Sequence, residues 1–461
     1  MSEKKKIFRT IKDPPIIKVI SPLQRFIEQE AIGSKILLAC ILIGIIWSNI
    51  PWGETYNKFW NVTISISLGD NIDLTQPLIW WINNGLMTIF FFVIGLELKR
   101  EILIGGLNDK KDAIFSIITG LSGMIFPVIF FMSINYPKSE GFNGWSIPMA
   151  TDIAIAIGVL SLFSYNIPRR IKLILTSMTI IDDVGAILVI AILHSETFDW
   201  RFFLGSIALI GILILFNRLG IRNLLFYIIP GLFLWFLVLN SGIHATITGV
   251  ILAAIIPASK RIDLSDFYDI SKKSLNDISE IELKGEDEVS CYNRVISQVH
   301  ALEKGFHNIR TPLDIIEHRI IGISALLIVP IFAIANSGIN FFEMSVNPFT
   351  SRLFWGIIIG LVLGKPIGIL TSTVILKKVK IFNMPANTTW YHVFGMAFLM
   401  GIGFTMASFL AGLSFLNDSE LLSISKIAIL LGSSISGLIG FILLKISVKK
   451  SITTQENKLE G

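Results

Sequence analysis

Long apolar runs with almost no charges inside them dominate this chain. A helix needs roughly 20 apolar residues to cross about 30 Å of hydrocarbon. Twelve runs are candidates: 35–51, 79–98, 112–134, 147–164, 172–193, 202–217, 221–239, 242–257, 319–336, 352–376, 391–415 and 424–445. Of the 461 residues 52% are apolar and 16% charged, whereas a soluble domain carries about 25% charge. A string of soluble domains is therefore excluded. A disulfide scaffold and a zinc cluster are excluded as well, because the only cysteines are Cys40, inside an apolar run, and Cys291, in a polar stretch. The expectation is an all-α polytopic membrane protein with about 12 transmembrane helices, embedded in a lipid bilayer.

Lys and Arg set the orientation. With the N-terminus in the cytoplasm, 33 of them fall on the cytoplasmic side, and five (Lys58, Lys138, Arg201, Arg352 and Lys426) fall outside. Such a bias places both termini in the cytoplasm. Residues 1–30 then form a basic cytoplasmic tail; no apolar segment with a small-residue cleavage site follows closely enough to make it a signal peptide. Spans one to eight fill 31–257, and spans nine to twelve fill 319–445. Residues 446–461 form a second cytoplasmic tail. The net charge of +5 does not point to nucleic acid, because it follows this topological bias.

Two connections stand out. Residues 62–75, VTISISLGDNIDLT, alternate apolar and polar on either side of Gly-Asp-Asn, the pattern of a small external β-hairpin. A lone hairpin is marginal in water, so it is expected to pair, most simply with a second copy of the chain. Residues 258–318 form a long cytoplasmic loop rich in both charge signs, with Gly-Glu-Asp-Glu at 285–288. This loop is expected to be partly structureless or to form a surface helix.

Four ionisable residues lie well inside the expected spans: Asp152, Asp182, Asp183 and Lys365. A charge at that depth costs at least about 2.5–3.5 kcal/mol. A buried Asp–Lys pair that only fastens helices would account for two of the four and leave two acids unmatched. Adjacent Asp182 and Asp183 point about 100° apart on a helix. Two carboxylates so close in a low dielectric cannot both stay ionised without a cation. Such a pair holds either a proton or a hard cation that takes oxygen ligands, and competition between the two is the core of an exchanger.

Asp152 would cap a helix starting at Ile153. Residues 153–164 make only about 18 Å of helix, too short to cross, so the fourth span is expected to be broken, with Thr151 offering oxygens beside the carboxylate. The eleventh span has a matching weakness at Gly401-Ile402-Gly403-Phe404-Thr405. Spans three to five and ten to twelve thus look alike, and the charge count runs them in opposite directions. Two inverted repeats with discontinuous helices (spans 4 and 11) point to the site of a secondary transporter. An ion channel would need a continuous polar pore rather than four charges at one depth. An intramembrane aspartyl protease would need its two acids on facing helices. A sodium symporter of an organic solute would need a roomier site.

The chain also resembles the NhaA-type sodium/proton antiporters from about residue 24 to the end of the last span. The matching stretches, in family order, are FFFVIGLELKREI (90–102), IPMATDIAIAIGVL (147–160), IIDDVGAI (180–187), SGIHATITGV (241–250), FAIANSGI (332–339), GKPIGI (364–369) and GIGFTMASF (401–409). The resemblance implies that Asp182 and Asp183 carry Na⁺ and protons. It places Asp152, Thr151 and Lys365 where the broken helices cross, with Lys365 compensating charge. It further implies electrogenic, pH-regulated exchange of cytoplasmic Na⁺ or Li⁺ for external H⁺ by alternating access, in sodium and pH homeostasis. A bacterial inner (plasma) membrane location, a homodimer formed through the external hairpin, and an ion antiporter rather than an enzyme, without a cofactor, are implied too.

The sequence departs from the family pattern at Asn84, where an Asp is usual, at the long 258–318 loop, and at Ile321, which replaces the second His of an LEHxLHPW-like stretch. Candidate pH-sensing groups are Glu97 and Glu101 at the inner end of span two, His244 at the start of span eight, and Glu317 and His318 at the start of span nine. Histidine titrates near pH 6.5 and acidic neighbours hold its proton.

Overall fold

The computed structural model describes residues 30–459 apart from 69–71, 104, 106–109, 138, 164–166, 168, 194–197, 260–262, 284–287, 342–346 and 382–387. The basic tail, the hairpin tip and most of the 285–288 stretch lie outside the described residues, as does the His318 side chain. Among the described residues nine helices are long and apolar enough to cross a membrane, or ten when one bent pair counts as a span. That pair is α1 (Glu30–Asn49) and α2 (Glu54–Trp60), bent by 117° at Ile50-Pro51-Trp52-Gly53, where Pro51 cannot continue the helix.

The hairpin follows. Strands β1 (Thr63–Leu68) and β2 (Ile72–Pro77) pair antiparallel, with Ser65 opposite Thr75 and Ile66 opposite Leu74. The Thr75 hydroxyl donates to Ser65 Oγ at 3.1 Å, and Ile64 and Ile66 are left exposed.

Helices α3 (Leu78–Leu103) and α4 (Lys110–Ile134) come next. The fourth span is broken as expected: a 3₁₀ segment, Phe142–Met149, leads through extended residues into α5 (Ile153–Ser161). Helix α6 (Arg169–Leu193) carries the acidic pair, and α7 (Trp200–Arg218) follows. The seventh and eighth expected spans are short helices, α8 (Leu225–Asn240) and α9 (Ile247–Ile255). Close packing holds α9, since a Cβ at Gly249 would collide with the backbone of Thr88 and Phe92 on α3.

The 258–318 segment contains two long helices, α10 (Leu264–Leu283) and α11 (Glu288–Ile309), packed on each other. Ser274 is buried, and Phe267 lies over Gly305. The ninth span, α12 (Pro312–Asn336), starts seven residues earlier than expected. Its start is a capping box: Asp314 N–H donates to Thr311 Oγ1 at 3.1 Å, and the Thr311 N–H donates back to the Asp314 carboxylate at 3.3 Å. Pro312 sits at the first helical position, where a missing N–H costs nothing.

The tenth span is α13 (Arg352–Lys378). Its glycines 360, 364 and 368 form a small-residue stripe that lets α4 approach at Pro127 and Ser122, the close-packing mode of membrane helices. The eleventh span breaks as expected into α14 (Trp390–Leu399) and α15 (Phe404–Ser414), and α16 (Ser419–Leu459) closes the chain. Lys426, expected in an external loop, lies inside α16 and donates to the Gly338 carbonyl at 3.3 Å.

Candidate ion-binding site

The two helix breaks cross and bond to each other. The Asp152 N–H donates to the Ile402 carbonyl at 2.6 Å. The Thr151 hydroxyl lies 2.7 Å from Asp182 Oδ2 and 2.9 Å from the Met400 carbonyl, and its single proton serves one of them at a time. Serines of α16 support the break: Ser433 Oγ accepts from Gly403 N–H at 3.1 Å, and Ser436 donates to the Phe398 carbonyl at 2.7 Å. The peptide groups freed by the break are therefore satisfied within the protein, which membrane depth requires.

Asp152 caps two helices at once. Oδ1 accepts from Ile155 N–H at 3.2 Å, on the first turn of α5. Oδ2 accepts from Thr405 N–H at 3.1 Å and from the Thr405 hydroxyl at 2.6 Å, on the first turn of α15. Both helix N-termini carry partial positive charge, so one buried carboxylate compensates two dipoles. Lys365 serves an opposite end. Its ammonium donates to the Met149 carbonyl, the last of the 3₁₀ segment, and lies 2.8 Å from Asp182 Oδ2. A wider π-helical turn, Gly360–Gly364, immediately precedes Lys365, and such turns recur at functional sites.

Asp182 and Lys365 are completely buried, and Asp183 is 2% exposed. Asp182 Oδ1 has no hydrogen-bond partner. No donor reaches the Asp183 carboxylate among the described residues. Three acids thus face one lysine, and the two sequence-adjacent acids hold the vacant oxygen lone pairs. Asp152 and Thr151 already spend theirs on the crossing. Among the described residues no group of three or more His, Cys, Asp or Glu could hold a metal ion. A cation here would rest on Asp182, Asp183 and neutral oxygens rather than on Asp152.

The structure brings Asp152, Thr151, Asp182, Asp183 and Lys365 together as the sequence suggested. Thr405, the Met149 and Met400 carbonyls and the α16 serines were missed. Thr405 sat in plain view within GIGFTMASF, but only the crossing shows that its N–H and hydroxyl meet Asp152.

A second polar cluster lies at the inner end of α3. Lys99 donates to the Ala254 and Ile256 carbonyls at 2.6 and 2.5 Å, finishing α9. Arg100 Nη1 is 2.7 Å from Glu317 Oε1 on α12, and Arg100 Nη2 is 3.7 Å from Glu101 Oε1. Glu97 is near enough to Asp183 to act on it electrostatically. His244 is not part of this cluster. It sits before the opposite end of α9, its Nδ1 2.8 Å from Thr246 Oγ1 and its ring edge-on to Phe409 at 5.7 Å. Asn84 packs locally, donating to the Trp80 carbonyl at 3.1 Å, whereas its neighbour Asn83 accepts from Asn336 at 3.0 Å.

Two broken helices crossing around buried acids and a lysine, among nine or ten described apolar helices long enough to cross a membrane, are the frame of a multi-pass membrane protein. The chain belongs to the Na⁺/H⁺ antiporter 1 family, whose model matches residues 24–444. It is 39% identical to the Na⁺/H⁺ antiporter NhaA of Acidithiobacillus ferrooxidans, over 94% of this chain and 99% of that protein. It is 37% identical to NhaA 1 of Saccharophagus degradans, over 94% and 93%, and 35% identical to NhaA of Christiangramia forsetii, over 92% and 94%. Members of this family are transporters and not enzymes.

Proposed function

We propose that the protein exchanges cytoplasmic Na⁺, or Li⁺, for external H⁺ by alternating access, electrogenically and under pH control. The observation that carries this reading is the imbalance at the crossing: Lys365 occupies one oxygen of Asp182 at 2.8 Å, while Asp182 Oδ1 has no partner and Asp183 has no donor. At cytoplasmic pH the pair gives up its protons. A cation then binds Asp182 and Asp183, and the Lys365–Asp182 contact loosens because the cation takes over its compensation. The bundle of spans three to five and ten to twelve, read as two inverted repeats, rocks against the rest of the molecule. External protons displace the ion, and Lys365 returns to Asp182.

In this cycle Asp152 and Thr151 stay with the crossing and keep the two breaks aligned. Lys365 compensates charge at the Met149 end. Moving net charge makes the cycle sensitive to voltage, about 2.3 kcal/mol per charge per 100 mV. The Lys and Arg bias supports an inner-membrane location with both termini cytoplasmic. The exposed Ile64 and Ile66 of the hairpin support a homodimer formed there. The deciding experiment is sodium-driven pH change in everted vesicles. Addition of Na⁺ should release protons from the acidified lumen, and a vesicle pH that ignores both Na⁺ and Li⁺ would defeat the reading.

A further inference from the structure

His392 is the one completely buried histidine among the described residues, and the ion site makes no use of it. It stands in the first turn of α14, the inner half of the eleventh span. Thr389 caps that helix, with His392 three residues on. The His392 Nδ1 accepts from the Thr389 N–H at 3.1 Å and from the Ser447 hydroxyl of α16 at 2.7 Å. The Thr389 hydroxyl is 2.9 Å from Ser447 Oγ and 3.0 Å from Nδ1, so the three side chains form one closed cluster. Nε2 is buried without a partner.

A backbone N–H can only donate, so Nδ1 presents its lone pair and the neutral ring carries its proton on Nε2. A second proton, on Nδ1, would meet the Thr389 N–H head-on and undo the cap. It would also add positive charge at a helix N-terminus, where the dipole is already positive. No bonded acid offsets that charge. Helices α13 and α14 contain no acid, and Lys377 of α13 lies over the Trp390 ring at 4.9 Å. Lys378 ends α13, and Lys445 and Lys449 flank Ser447 on α16, whose acids are Glu420 at the opposite end and Glu456 in the last turn. Helices α4 and α6 share a small cavity with Val393 at Phe115 and Ile174, and their inner ends bring Lys111, Asp112 and Lys172. Among the described residues the imidazole is bonded to Thr389 and Ser447 alone.

What the cluster holds in place is the crossing. Helix α14 runs about 15 Å from Thr389 to Leu399. Just beyond it, the Met400 and Ile402 carbonyls accept from Thr151 and Asp152. Two serines of α16 fasten this helix at its ends, Ser447 to His392 and Ser436 to the Phe398 carbonyl, at 2.7 Å each. Only the inner fastening contains a group that titrates near neutral pH. The Thr151 hydroxyl reaches both the Met400 carbonyl and Asp182 Oδ2, so a shift of α14 changes which of them it serves.

We propose that His392 is a positioning residue for the exchange, a neutral imidazole that fastens α14 to α16 and releases it when cytoplasmic acid adds a second proton. The role in exchange rests on the function proposed above; the fastening rests on its own bonds. Turnover at saturating Na⁺ should therefore fall on the acid side for a reason separate from competition at Asp182 and Asp183, because saturating Na⁺ removes that competition.

The test uses the full chain, in nanodiscs for spectroscopy and in everted vesicles for flux. Ring-nitrogen NMR of isotope-labelled histidine, with the His392 signal identified by its absence in His392→Gln, should show the neutral Nε2–H form at about pH 8 and a second proton as pH falls toward about 5.5. These spectra do not depend on transport, so failure of the fastening and failure of the exchange reading are told apart. Gln at the same position of a cap offers an oxygen that stays an acceptor. His392→Gln should keep maximal flux within about twofold of wild type at about pH 8 and lose most of the acid-side fall. His392→Leu fills the space without an acceptor and should lower maximal flux about fivefold at every pH, the equivalent of one lost cap. A ring with its proton on Nδ1, or one that stays neutral down to about pH 5.5, would overturn the proposal. So would an acid-side fall in His392→Gln as deep as in wild type, or wild-type flux in His392→Leu.

Discussion

The buried crossing and the inner end of α3 use the same residue types to opposite effect. At the inner end each cation is paired with something fixed: Lys99 with two carbonyls of the α9 terminus, and Arg100 with Glu317 and Glu101. At the crossing Asp152 follows that rule, with three donors on its carboxylate, but the acidic pair breaks it. Asp182 keeps an unpartnered oxygen and Asp183 receives no donor. Charge that is matched holds a fold together. Charge left unmatched in low dielectric costs stability, and the unmatched pair is where the proposed function places the cation.

The largest effect should come from the unmatched pair. Asp182→Asn and Asp183→Asn should each abolish sodium-dependent proton flux in everted vesicles, since Asn keeps the shape and cannot carry a proton. Their stabilities should split. Asp183→Asn removes a buried charge that has no donor and should leave the melting temperature unchanged or raised. Asp182→Asn strips Lys365 of its partner and should lower it. Near wild-type flux in either variant would erase the distinction between the two regions.

Lys365 comes next. Lys365→Met leaves Asp182 buried without its cation, and breaking a buried pair costs about 3–5 kcal/mol. Lys365→Arg keeps the charge and should keep both the fold and electrogenic exchange, because compensation is the role assigned to it. Arg does not deprotonate in proteins. Exchange retained without the sodium-induced voltage in Lys365→Arg would instead make Lys365 a proton carrier.

Asp152 tests the matched side of the crossing. Each lost cap costs about 0.5–2 kcal/mol, so Asp152→Ala should lose roughly twice what a single-cap variant such as Thr311→Ala loses. Thermal unfolding in detergent measures the ratio, and equal losses would mean that the α15 contact adds nothing.

How much of this the sequence displays depends on whether the signal is local. Charges at membrane depth and Gly-rich interruptions are local, so the acidic pair, Lys365 and both broken spans can be read directly. The hairpin strands are equally plain from their alternation. Crossing contacts are not local: nothing near Thr405 announces that it meets Asp152, 253 residues away. Helices α10 and α11 were concealed differently, because their apolar residues are few and diluted by charge. The early start of α12 is legible in Thr311-Pro312-Leu313-Asp314, a capping signature that lies ahead of the apolar run.

The inner-end cluster supplies the smaller effects. Arg100 is 36% exposed at its side chain while Glu317 is 3%, so Arg100→Gln should cost only about 1–2 kcal/mol, well below a fully buried pair. Flux at saturating Na⁺ should stay within about twofold of wild type, a difference in barrier of under half a kcal/mol. The same variant bears on pH response. In the proposed cycle protons and Na⁺ compete for Asp182 and Asp183, so apparent sodium affinity should rise with pH whatever the cluster does. Glu97 acts on Asp183 from the inner side, and Glu101 and Glu317 share Arg100, so changes of charge in this cluster should alter how steeply affinity rises. Ile321 stands where the resemblance described above implies a second histidine, so one titrating group is absent there. The slope should therefore be positive but shallower than in relatives with both histidines, and shallower still in Glu97→Gln or Glu101→Gln. The measurement is apparent Na⁺ affinity in vesicles from pH 6 to about pH 9, across the range where histidine changes charge. A slope as steep as in those relatives, and unmoved by replacing Glu97, Glu101 and His318 one at a time, would leave Asp182 and Asp183 as the whole of the pH dependence and the inner cluster as a fastening alone.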